Sequence, residues 1–126
     1  MVTTEFQEFI RRVNDAFVRH DTAFFEDNVT DDVRWTMVGS APIDGKAAFI
    51  AEVVSMEEGP APELAVTNVI THGTAAAVEG TMTMVDESGA TKTYAFCDVY
   101  RLSGVETGKI EAITAYMIEL DTGGAS

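Results

Sequence analysis

The sequence is poor in the residues that build staples and metal centres. It holds one cysteine, Cys97, and two histidines among 126 residues. A single cysteine excludes an internal disulfide and a thiolate-rich metal site, and points to a reducing cytoplasm. His20 and His72 are far apart, with no carboxylate at ligand spacing, so no metal is expected. Basic residues are also scarce: 8 Lys and Arg stand against 21 Asp and Glu, a formal net charge of −13. That sign opposes nucleic-acid backbones and anionic membrane surfaces as partners. No run of about 18 apolar residues occurs, so no transmembrane helix is expected. The opening "MVTTEFQEFIRR" lacks the basic start and apolar stretch of a secretion signal. Repeats, low-complexity tracts and linkers are missing, and "GSAPIDGK" lacks the spacing of a phosphate-binding loop.

What is present suits one domain spanning residues 1–126, long enough for a real core and too short for two. Phe6, Phe9, Ile10, Val13 and Phe17 fall on one face of a helix. Asp21 is placed to cap a short second helix, "TAFFEDNV". In "DDVRWTMVG", Val33, Trp35 and Met37 alternate with Arg34 and Thr36, as in a half-buried strand. "SAPIDG" reads as a loop, and "KAAFIAEVVSM" as a third helix with Phe49, Val53 and Met56 inward. Four β segments follow: "LAVTNVITH", "AAVEGTMTMV", "KTYAFCDVYRL" and "KIEAITAYMIEL". Short Gly-containing loops join them, so an antiparallel meander is expected. The fold class is therefore α+β, with three N-terminal helices covering one face of a curled antiparallel sheet. Such a cone provides a concavity of the kind small molecules occupy.

One residue stands out chemically. Tyr94, Phe96, Asp98 and Tyr100 share an alternating face of "TYAFCDVYRL". A carboxylate among aromatics is costly unless it is hydrogen-bonded or holds a proton. Asp98 is either a structural acid held by backbone donors or a pocket acid available for chemistry.

The order of elements resembles the nuclear transport factor 2-like superfamily, in particular its polyketide-cyclase-like (SnoaL-like) and ketosteroid-isomerase-like members. The resemblance is carried by "FIRRVNDAFVRHDTAFFEDNVTDDVRW", "VGSAPIDGKAAFI" and "AFCDVYRLSGVETGKIEAITAYMIEL". It implies a cone fold and a homodimer formed through the outer face of the sheet. It also implies that Asp98 lies where the isomerase-like proteins carry an oxyanion-hole acid and the cyclase-like ones an acid/base aspartate. Other family positions depart from the pattern. Thr36 stands where the isomerase has its general base, and Val13 falls near its helix tyrosine. "FCD" lacks the arginine of the limonene-epoxide-hydrolase arrangement.

These readings make Asp98 the candidate catalytic residue. Trp35, Met82, Met84, Phe96, Tyr100 and Met117 are the candidate ligand-binding residues; for Trp35 and the methionines core filling is the first reading, with pocket lining its consequence if the cone is open. Whether Tyr116 or Met117 faces inward depends on register. His20 reads as a helix C-terminal histidine, or else a general base. His72 reads as an exposed turn residue, and Cys97 as a small buried hydrophobe rather than a nucleophile. The expected function is binding of a small apolar molecule, with cofactor-free acid/base chemistry at a carbonyl or enol oxygen. The alternative is a non-catalytic pocket or interaction module of the same fold.

Overall fold

In the computed structural model, residues 3–56, 62–104 and 108–120 are described. Helix α1 (Thr3–Arg19) buries Phe6, Phe9, Ile10 and Val13 on the face their spacing defines. It ends at His20, which takes the left-handed φ of 57°. The Asp21 amide then bonds back to the Ala16 carbonyl at 2.9 Å, closing the last turn. Asp21 is also the cap of α2 (Thr22–Asn28), where its Oδ1 accepts from the Phe24 amide at 3.1 Å. The cap turns the chain sharply enough to bring Phe17 of α1 against Phe25 of α2, with ring centroids 4.7 Å apart. Phe17 also meets Trp35 at 5.2 Å, and Trp35 meets Phe49 at 5.0 Å. This aromatic cluster ties all three helices to the first strand.

Strand β1 (Val29–Met37) alternates as its sequence does, with Val33 and Trp35 buried and Arg34 exposed. The stretch expected to be only a loop contains a two-residue strand, β2 (Ile43–Asp44), antiparallel to β1. An Arg34–Asp44 ion pair of 2.7 Å lies across that pairing. Helix α3 (Lys46–Ser55) buries Phe49 and Val53. Strands β3 (Glu63–His72), β4 (Ala75–Val85), β5 (Thr91–Leu102) and β6 (Ile110–Glu119) form the antiparallel meander.

The six strands lie in the order β2-β1-β6-β5-β4-β3. β1 pairs with β6 in parallel, so the sheet is mixed at that one junction. Register shifts interrupt the β3–β4, β5–β6 and β1–β6 ladders. Such irregularities bend strands, and here they accompany the curl of the sheet around the helices. Gln7 of α1 donates to the Val69 carbonyl of β3 at 3.2 Å, fixing the helix across the concave side. Among the described residues no helix is long and apolar enough to cross a membrane.

Candidate functional site

The register of the sheet decides what surrounds Asp98. Across β4, β5 and β6 it stands between Val78 and Ala115, and Ala115 in turn pairs with Met37 of β1. Along its own strand, on the same face, are Phe96 and Tyr100. The acid therefore sits in the middle of an apolar field. No described residue donates a hydrogen bond to it, and burial lifts its pKa from the ordinary 3.8 to about 7. The residue is half-buried because it borders open space.

That space is a cavity of about 430 Å³ between the concave sheet face, the C-terminal half of α1, and Met56 and Pro62. The volume lies in the ordinary range for small-molecule sites. From the sheet, Trp35, Met37, Leu64, Phe96 and Met117 line it, with Met82 and Met84. From α1 and its end come Asn14, Phe17, Val18 and His20. The wall is apolar except at three side chains: Asn14, His20 and Asp98.

Trp35, Met82, Met84, Phe96, Met117 and Asp98 are thus brought together on one cavity wall. Tyr100 is not among the lining residues. It is 0% exposed and packed in the core, beside Ala76 and Ile113 of the neighbouring strands. Its hydroxyl is buried without a partner among the described residues. Burial raises its pKa well above the usual tyrosine value, and the nearby Asp98 charge adds to that rise.

Met117 takes the concave side, and Tyr116 stands on the outer face at 50% exposure. Cys97 shares that outer face, paired across strands with Glu79 and Tyr116. Burial, then the charges of Asp98 and Glu79, push its thiol up and keep it protonated. His72 is exposed at the end of β3. Thr36, half-buried, is absent from the cavity wall, and its neighbour Met37 occupies the concave position. Val13 is sealed in the core while Asn14 borders the cavity.

Sequence reasoning overlooked Asn14 and set His20 aside. The signal for Asn14 was available: it lies four residues after Ile10 and three before Phe17, on the inward helical face. His20 gave no such signal. It borders the cavity as the left-handed residue that ends α1.

A carboxyl titrating near 7 is present in both forms at neutral pH, so Asp98 can donate a proton or accept one. The arrangement can hold an apolar molecule with one oxygen at Asp98 and polar contacts at Asn14 and His20.

Comparison with known proteins agrees with this architecture. Residues 10–113 match the SnoaL-like domain. The structure of an NTF2-like protein of unknown function from Burkholderia pseudomallei superposes with a TM-score of 0.77 at 23% identity, covering 94% of this chain and 92% of that one. An NTF2-like protein of unknown function from Cytophaga hutchinsonii gives 0.69 at 24%, over 89% and 98% of the two chains. An LEH-like epoxide hydrolase of M. tuberculosis gives 0.69 at 19%, over 82% and 75%. At these identities the likenesses establish the fold. No curated protein matches the chain.

Proposed function

This chain belongs to the SnoaL-like domain family, and from that premise we propose that it binds a small apolar molecule and performs cofactor-free acid/base chemistry on it. The observation that carries the reading is Asp98: a carboxyl without a hydrogen-bond partner among the described residues, on an apolar cavity wall, with a pKa of about 7. Groups poised near the working pH are the efficient proton carriers. In the neutral form Asp98 donates a hydrogen bond to a carbonyl oxygen of the ligand and stabilises the enol that develops. In the ionised form it takes a proton from a carbon beside the carbonyl, and returns that proton to another atom of the same molecule. Isomerisation, cyclisation and dehydration are the reaction types such a shuttle serves. Trp35, Met82, Met84, Phe96 and Met117 supply the apolar wall, and His20 is the other titratable side chain on it.

Screening ligands by thermal shift on wild type and Asp98→Asn tests the reading, since a ligand of the native state must raise its stability. The expected result is a carbonyl compound that stabilises wild type and is turned over by it, with turnover lost and the fold kept in Asp98→Asn. Equal turnover by both proteins overturns the assignment. Binding without turnover in either leaves the non-catalytic pocket reading. That alternative draws on Met37, an apolar residue on the concave face next to the Thr36 position.

The same proposal includes a cytoplasmic setting, in which Cys97 remains a thiol, and a homodimer through the outer sheet face. Val99, Tyr116 and Ile118 are 41%, 50% and 66% exposed. The register sets them around Ala95 and Cys97 as one apolar strip, the kind of surface that marks an interface.

A further inference from the structure

Asn14 is the buried polar residue of the described core, 6% exposed. Asparagine is a poor choice inside a helix, and an apolar residue would suit so sealed a position better. Its Nδ2 donates to the Ile10 carbonyl, one turn earlier, at 2.9 Å. A carbonyl only accepts, so the amide must turn its NH2 toward Ile10 and its oxygen away. Among the described residues nothing donates to that Oδ1. Nor does it belong with the sealed polar atoms that lack a partner, which are the Thr30, Thr71 and Tyr100 hydroxyl oxygens. The oxygen therefore keeps open space before it, and the open space Asn14 borders is the cavity. In the free protein that acceptor faces cavity space a water can occupy; an apolar ligand that displaces the water leaves the oxygen unpaired, and a ligand donor does not.

We infer that Asn14 is a specificity-determining residue whose carboxamide oxygen accepts a hydrogen bond from the ligand. The ligand class is then an apolar, ring-sized hydroxy- or amino-carbonyl compound, with its O–H or N–H at Asn14 and its carbonyl at Asp98. The carbonyl half rests on the reading of Asp98 given above; the donor half rests on Asn14 alone. Sites built to hydrogen-bond a substrate group reject analogues that lack it far more strongly than apolar pockets reject a missing methylene. A plain hydrocarbon or a simple ketone leaves the Asn14 oxygen unpaired.

The test uses 5-, 6- and 7-hydroxy-1-tetralone as probes, each beside its methyl ether and its deoxo phenol. Affinities are measured by calorimetry at about pH 6, where Asp98 is mostly protonated. In wild type, at least one hydroxytetralone binds about tenfold tighter than its methyl ether, or ~1.4 kcal/mol. In Asn14→Leu that hydroxyl-over-ether ratio falls to about one, while the ethers bind as before, which reports an intact fold. Asn14→Ala gives the same readout should the leucine variant not fold. The inference is overturned if no hydroxytetralone binds wild type, if all three ratios are near one there, or if the preference survives in both variants. The ketone-over-deoxo ratio reports Asp98 separately and is lost in Asp98→Asn. If that ratio persists in Asp98→Asn while the hydroxyl preference depends on Asn14, the Asp98 reading fails and the Asn14 inference stands.

Discussion

Burying the Asp98 carboxyl costs the folded protein more when the group is charged than when it is neutral, and that difference gives the residue a definite stability signature. Its pKa is about 7 in the folded chain against an ordinary 3.8. Between those values the folded state holds more proton than the unfolded one, so stability falls as pH rises and levels off above 7. The penalty vanishes below about pH 3.8 and reaches on the order of 4 kcal/mol above neutrality, at ~1.4 kcal/mol per pKa unit. Asp98→Asn carries no such charge. Urea titrations from about pH 4 to 8 are expected to show the variant gaining on wild type by that amount. A difference that stays constant across the range would contradict the buried-charge account. The acid itself was legible in "TYAFCDVYRL", because alternation put it among aromatics. Its lack of a partner was not, since the cross-strand neighbours Val78 and Ala115 come from segments with no sequence mark of their register.

At the level of elements, Gly80 shows how backbone geometry shapes the site. It pairs with Val66 next to the β3 irregularity and faces Phe96 across β5. A Cβ there would collide with the Ala65 carbonyl oxygen and stand 3.1 Å from the Phe96 ring. Gly80→Ala is therefore expected to force β3 and β4 apart, with a loss of about 1–3 kcal/mol. A lowered urea midpoint, with the bound probe's stabilisation reduced as Phe96 shifts, would be the measured outcome; an unchanged midpoint would count against it. The helices and the meander were readable from local pattern alone, as in Phe6, Phe9, Ile10, Val13 and Phe17 of α1. The β1–β6 pairing was not, because parallel neighbours come from opposite ends of the chain and no turn announces them. The same missing register left Tyr116 and Met117 indistinguishable in sequence. Asn14 escaped for a different reason: attention to apolar spacing passes over a polar residue on the same face.

For the whole molecule, charge and shape oppose one another at the outer sheet face. Two chains of formal charge −13 repel as they approach, while the strip of Val99, Tyr116 and Ile118 favours contact. The proposed dimer should therefore tighten as salt is added, since the Debye length shrinks from about 10 Å at 0.1 M to roughly 3 Å at 1 M. Sedimentation velocity across that range is expected to show a falling dissociation constant, and Tyr116→Lys with Ile118→Lys is expected to give monomer throughout. Association that weakens with salt would mean ion pairs rather than apolar area hold the copies together.

The parallel junction also joins the two ends of the chain. β6 is the last strand in sequence, yet it lies between β1 and β5 in the finished sheet. Without it, the half carrying Trp35 and the half carrying Asp98 share no ladder. Completing the sheet thus goes together with the burial that raises the Asp98 pKa, and near neutral pH folding is coupled to uptake of a fraction of a proton from solvent.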